Sequence, residues 1–203
     1  MSMDDPGISV EPLLAFNGKR LWNQVFFDDV RVPRVNRLGE ENQGWTVAKN
    51  LLGNERLLVS RVAENKRMLG RVREVLSEEC AREVQFDAAT KQQIAALDIR
   101  LEALEATALR LLSQFDSGGT IGAEPSMLKL KGSRLVQEMD YMLFDIIGNY
   151  GLPLDSMLRQ GDPIGPVASD MVASGLFHHR GYTIAGGSSE VQHNIIAQQV
   201  LGL

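Results

Sequence analysis

Two short stretches hold the residues best placed for chemistry. The first is Gly186-Gly187-Ser188-Ser189-Glu190. Adjacent glycines let a backbone approach a ligand closely. A serine that opens a helical pattern caps a helix, and the free amides there attract phosphate or ring oxygens. The second is Asn54-Glu55-Arg56-Leu57-Leu58. On a helix Glu55 shares its face with Leu51, Leu58 and Val59, an environment that partly desolvates a carboxylate. A carboxylate held dry has its pKa raised toward the range useful for proton abstraction. The ordinary alternatives are a plain capped helix start for the first stretch and a glutamate meeting solvent or an arginine for the second. His178 and His179 are adjacent, so on a helix they point in different directions. No Cys, Asp or Glu stands at ligand spacing from them, and no metal centre is expected. His193 is expected at the surface.

These stretches sit in a chain of 203 residues, 44% hydrophobic and 23% charged, the balance of a folded globular protein. A net charge of -5 gives no general pull on nucleic acid or anionic membrane, and neither is expected as a partner. The single cysteine, Cys80, cannot form an intramolecular disulfide. No apolar run reaches the roughly 18 residues of a membrane helix. The first seven residues lack the basic flank and apolar core of a signal peptide. A soluble, cytoplasmic protein is expected.

The elements that must position the two stretches differ along the chain. Residues 7–10 and 23–33 are rich in β-branched and aromatic types and are punctuated by Pro and Gly, a pattern of two or three short strands. So few strands cannot bury a face by themselves, and they are expected to be the tail of a larger sheet domain. From Gln43 onward apolar residues recur at steps of three and four. The spacing predicts helices over residues 42–83, 88–116, 124–149 and 167–178, with loops at 116–122 and 154–166. A last helix, capped by Ser188 or Ser189, carries Val191, Ile195, Ile196 and Val200. Ile94, Leu97, Leu101, Leu104, Ala108 and Leu111 form the seam of a bundle. Met139, Met142 and Met171 are expected to fill its core. The fold class is thus mainly α: an antiparallel up-down helix bundle preceded by a few short strands.

Three stretches in order resemble the acyl-CoA dehydrogenase family. Phe26-Phe27-Asp28-Asp29-Val30-Arg31-Val32-Pro33, followed by Leu38-Gly39-Glu40-Glu41-Asn42-Gln43-Gly44-Trp45, is similar to that family's passage from its middle β-domain into its C-terminal helical domain. Asp145-Ile146-Ile147-Gly148-Asn149-Tyr150-Gly151 resembles its Gln-x-x-Gly-Gly-x-Gly segment. Residues 182–203 resemble its closing Tyr-Glu-Gly-Thr-Ser-Glu turn and helix. The resemblance implies a remnant of the β-domain over residues 1–38 and the helical domain over 39–203. It implies that an N-terminal helical domain and most of the β-domain are absent from this chain.

The same resemblance implies FAD as cofactor, an acyl-CoA as substrate, electron-transfer flavoprotein as electron acceptor, and a homodimer or tetramer or else a hetero-oligomer. The family's base falls on Gly186 here, and glycine cannot take a proton. A subset of the family carries the base on the first helix of the C-terminal domain, which implies Glu55 as catalytic base. Arg56 and Gly187 are then substrate-binding. Ser188, Ser189 and Glu190 match the flavin turn. Arg82 and Asp145 with Asn149 stand at two further cofactor-binding segments. Arg82 lies in Arg82-Glu83-Val84-Gln85-Phe86-Asp87, one residue longer than the family's Arg-x-x-Phe-Gly and without its glycine. Asp145 and Asn149 replace Gln and Gly. These departures point to two other readings: a catalytically silent subunit of a hetero-oligomer, or a helical oligomerisation module.

Overall fold

The computed structural model describes residues 1–55, 60–119, 122–162 and 164–203, without the side chains of residues 50–55 and 156. The chain divides into two compact units, Met1–Glu55 and Arg56–Leu203.

In the first unit, strands β1 (Ile8–Leu14) and β2 (Arg20–Phe27) form an antiparallel hairpin with Ile8 opposite Phe27 and Leu13 opposite Trp22. The turn is built by Asn17, whose side-chain oxygen accepts from the Lys19 amide at 3.1 Å, and by Gly18 at φ 78°. The second strand stops at Phe27 instead of running on to Pro33. Asp29 adopts a left-handed φ of 51°, which breaks the extended path. A 3-10 turn (Arg34–Asn36) and helix α1 (Gly44–Glu55) follow.

The second unit is a helix bundle of α2 (Val62–Ala81), α3 (Ala88–Asp116), α4 (Glu124–Ile147), the single turn α5 (Ser156–Arg159), α6 (Val172–His179) and α7 (Ser189–Ile196). α4 lies at the centre and packs on α2, α3, α6 and α7. That position explains its composition: small, apolar and buried polar residues run round most of its surface, from Ser126 and Leu128 to Met139 and Leu143. The core joins Leu69, Val72 and Val75 of α2 to the predicted seam of α3 and to Leu128, Leu135, Met139 and Leu143 of α4. α3 starts and stops where its pattern places it, with Asp87 capping the Thr90 amide at 2.8 Å.

Three expectations are corrected. The helix expected over residues 42–83 is two helices. Ahead of α2 the chain passes through Arg61 at φ 54°, a left-handed conformation that no helix interior holds. This break brings the Ser60 carbonyl against Gly132, where a Cβ would lie 2.0 Å from the Ser60 oxygen. Asn65, fully buried, ties the break down by donating to the carbonyls of Arg61 at 2.9 Å and Gly132 at 3.1 Å. The helix expected over 167–178 is a 3-10 turn (Val167–Ser169) followed by α6, because Met171 at φ 66° interrupts it. Met171 is accordingly exposed rather than core, while Met139 and Met142 are buried. The expected end of the 124–149 helix holds to within two residues: α4 ends at Ile147, where Gly148 turns to φ 61° and opens a 3-10 turn (Gly148–Gly151).

The Ser60–Gly132 contact carries a prediction. Gly132→Ala should cost about 2–4 kcal/mol, because backbone, not a flexible side chain, must move. A lowered urea midpoint with an unchanged slope would report it.

Candidate functional site

The chain enters the glycine turn from a 3-10 turn (Arg180–Thr183). Gly186 and Gly187 then take φ values of 71° and 91°, both left-handed, which is why this position suits glycine. Ser188 follows in extended geometry and accepts from the Val191 amide at 3.4 Å, starting α7. Ser189 Oγ donates to the Thr183 carbonyl at 3.5 Å. The turn is gripped from within the protein. Gln192 Nε2 donates to the Gly186 carbonyl at 3.0 Å, and Lys129 Nζ, from α4, donates to the Gly187 carbonyl at 2.7 Å. Both of those side chains belong to buried residues. Burial pushes the Lys129 ammonium below its ordinary pKa, the Arg61 charge adds to the push, and Glu190 opposes it. Glu190 is held below the usual carboxylate range by backbone N–H and the Ser188 hydroxyl.

A second cluster joins the starts of α2 and of the 3-10 turn to the middle of α4. The Arg61 guanidinium lies 3.4 Å from the centre of the Tyr182 ring and pairs with Glu64 at 2.8 Å. The Tyr182 hydroxyl donates to Glu64 at 2.7 Å. His179 Nδ1 meets both Asp140 oxygens, at 2.8 and 3.0 Å, while its Nε2 lies 3.8 Å from Glu64. Gln137 donates to the His179 carbonyl at 2.9 Å and accepts from Arg180, which also meets the Tyr141 hydroxyl. Burial pushes the Tyr182 phenol up to about 12, and the Glu64 bond adds to it, so the hydroxyl stays a donor. Burial raises Asp140, with the His179 bond opposing. Burial acts upward on Glu64 as well, but the bonds from Arg61 and Tyr182 outweigh it and hold the group below its ordinary value.

The sequence-derived candidates fall as follows. Gly187, Ser188, Ser189 and Glu190 stand together in the turn over Lys129. Arg82 caps the end of α2 and pairs with Glu79 of its own helix at 3.2 Å. Asp145 is exposed and lines a groove of about 320 Å³ between α3 and α4 with Gln93, Arg100 and Tyr141. Asn149 is exposed in the 3-10 turn after α4, where its carbonyl accepts from the Leu152 amide at 3.2 Å. No hydrogen bond or ion pair among the described residues joins Arg82, Asp145 or Asn149 to the glycine turn. Glu55 ends α1, but its side chain and the whole of Arg56 lie outside the described residues. Sequence reasoning missed Lys129 and the Arg61–Glu64–Asp140–His179–Tyr182 cluster. Apart from the i,i+3 pair Arg61–Glu64, their hydrogen-bonded partners lie 39 to 118 residues apart along the chain, beyond the reach of any local spacing rule. His193 is exposed.

A family model described as "Acyl-CoA dehydrogenase, C-terminal domain" matches residues 42–201. Over 203 residues the chain is 26% identical to acyl-CoA dehydrogenase FadE34 of Mycobacterium tuberculosis, covering 100% of this chain and 26% of that one. A solved ChsE4-ChsE5 complex from Mycobacterium tuberculosis superposes with a TM-score of 0.76 at 27% identity, over 100% of this chain and 52% of that chain. The solved structure of PigA with FAD and proline does so with a TM-score of 0.76 at 20% identity, over 100% of this chain and 51% of that one. The chain therefore spans about half the length of these solved relatives and a quarter of FadE34. No helix among the described residues is long and apolar enough to cross a membrane.

Proposed function

This chain belongs to the acyl-CoA dehydrogenase family, whose C-terminal domain it carries, and from that premise we propose that it supplies the C-terminal half of a cytoplasmic, flavin-dependent enzyme that desaturates an acyl-CoA thioester. The observation that carries this reading is the glycine turn. Its two left-handed glycines leave the backbone bare, and Lys129 and Gln192 hold the carbonyls from below. A partly exposed turn with a cation held beneath it fits a ligand that presents phosphate or ring oxygens, as FAD does. Ser188, Ser189 and Glu190 would hold the flavin there, with Gly187 against the substrate. Arg82, Asp145 and Asn149 would serve the flavin of a neighbouring subunit, in a homodimer or tetramer.

Glu55 would remove the proton from the carbon next to the thioester carbonyl, and Arg56 would bind the substrate. FAD, when bound, supplies the acceptor for the hydride leaving the next carbon. Electron-transfer flavoprotein is the class of protein that would then draw off the electrons. The test is optical. The chain alone is expected to be inactive, so the full-length protein that contains it is the one that should carry flavin absorbance that bleaches when an acyl-CoA is added without oxygen. Protein that takes up no FAD, or flavin that never bleaches, overturns the reading.

One feature favours a second reading, a silent subunit of a hetero-oligomer: Gly186 stands where the family's usual base resides. Among the solved relatives, the ChsE4-ChsE5 complex is by its name an assembly of two different chains. Co-purification with a second dehydrogenase chain that carries an intact Tyr-Glu-Gly-Thr turn, and bleaching only in that company, would support it.

A further inference from the structure

Lys129 is 2% exposed, yet the Gly187 carbonyl at 2.7 Å is its one hydrogen-bond acceptor among the described residues. An ammonium taken out of water is costly unless it is paired or hydrogen-bonded, and this one is held by a single carbonyl. What Lys129 does hold is a peptide plane. The Gly187 carbonyl and the Ser188 amide belong to one rigid plane, so a donor that fixes the oxygen also fixes the direction of that N–H. Left-handed glycine offers little resistance to rotation by itself. Gln192 adds a second donor to the same oxygen at 3.5 Å and to that of Gly186 at 3.0 Å. A side chain at position 187 would collide with this amide, its Cβ lying 2.4 Å from Gln192 Nε2.

We propose that Lys129 is a positioning residue for the ligand turn: by fixing the Gly187 carbonyl it sets the direction of the Ser188 amide and the places of Ser189 and Glu190 relative to the group they bind. The proposal rests on the reading of residues 187–190 as the flavin turn, and the two fail in different ways.

Lys129→Met keeps the length and the apolar stem and removes the donor. Amide hydrogen exchange at residues 188–191 should speed up about tenfold, with α3 and the rest of α4 unchanged. The FAD dissociation constant should rise about tenfold. Lys129→Arg, which keeps charge and donors, should recover part of both. Unchanged exchange at 188–191 overturns the proposal. So does faster exchange spread evenly through α3 and α4, which would make Lys129 a mere core residue. Faster exchange at the turn with unchanged FAD affinity in the full-length protein leaves Lys129 as the positioning residue and removes the flavin reading. Should Lys129→Met not fold, Lys129→Gln, a shorter neutral side chain, decides: faster exchange confined to 188–191 supports the proposal, and unchanged exchange there overturns it.

Discussion

Glu55→Gln should leave flavin bound while slowing its bleaching by acyl-CoA about a thousandfold, the scale on which a positioned general base contributes. The amide is nearly isosteric with the carboxylate and can accept a hydrogen bond, but it cannot take up the proton. The defect therefore belongs in the chemical step, with the Michaelis constant almost unmoved. The prediction is sharp because position 186, where the family usually keeps its base, holds a glycine here. Glu55 ends α1 on a helix whose apolar residues Leu51 and Leu52 precede it. Rapid mixing under anaerobic conditions measures the bleaching rate directly. Full-speed bleaching in the variant would remove Glu55 from the mechanism and shift weight to a partner chain as the source of the base.

Asp140→Ala should destabilise the helix bundle by about 1–3 kcal/mol, the cost of leaving a buried hydrogen-bonding group without its partner. Asp140 is 2% exposed and takes both of its contacts from His179 Nδ1. Without it the imidazole faces Glu64 at 3.8 Å and an empty space. Urea denaturation at neutral pH reads the loss as a lowered midpoint.

Acid should act on the same cluster through Glu64. Burial drives its pKa up, the bonds from Arg61 and Tyr182 and the charges of Arg61 and His179 drive it down, and the balance is below the ordinary value of 4.5. A depressed carboxyl contributes stability that is whole above that ordinary value and is lost as pH falls through the folded one. Asp140 works the other way. Its raised pKa means that its protonated form is favoured in the fold, a contribution present in acid and lost as pH climbs. The acid limb of the stability curve should therefore flatten in Glu64→Gln.

The bundle was legible in the sequence because its signal is local and repeated. The seam from Ile94 to Leu111 recurs at helical steps, and Asp87 announces the start of its helix. The places where the reading failed share one cause. At Arg61 and Met171 the chain adopts a left-handed conformation that the residue type does not advertise, and side chains elsewhere bond the adjoining carbonyls, Asn65 that of Arg61 and Arg71 that of Asp170. Ser60 can lie where it does because Gly132, far along the chain on α4, has no side chain. The candidate site divides in the same way. Gly187 to Glu190 are contiguous and could be read as a turn. Lys129 looks like any helical lysine until α7 is folded over it, and His179 acquires its carboxylate from a helix 39 residues earlier.

The hairpin β1–β2 bears on how the molecule behaves in company. Val10, Leu13, Trp22, Val25, Phe26 and Phe27 are all exposed, and among the described residues each strand has a neighbour on one side alone. A ribbon with two open edges and apolar flanks is a template on which further strands can grow. Whatever lies along those edges in the cell acts as a colloidal stabiliser as much as a structural neighbour.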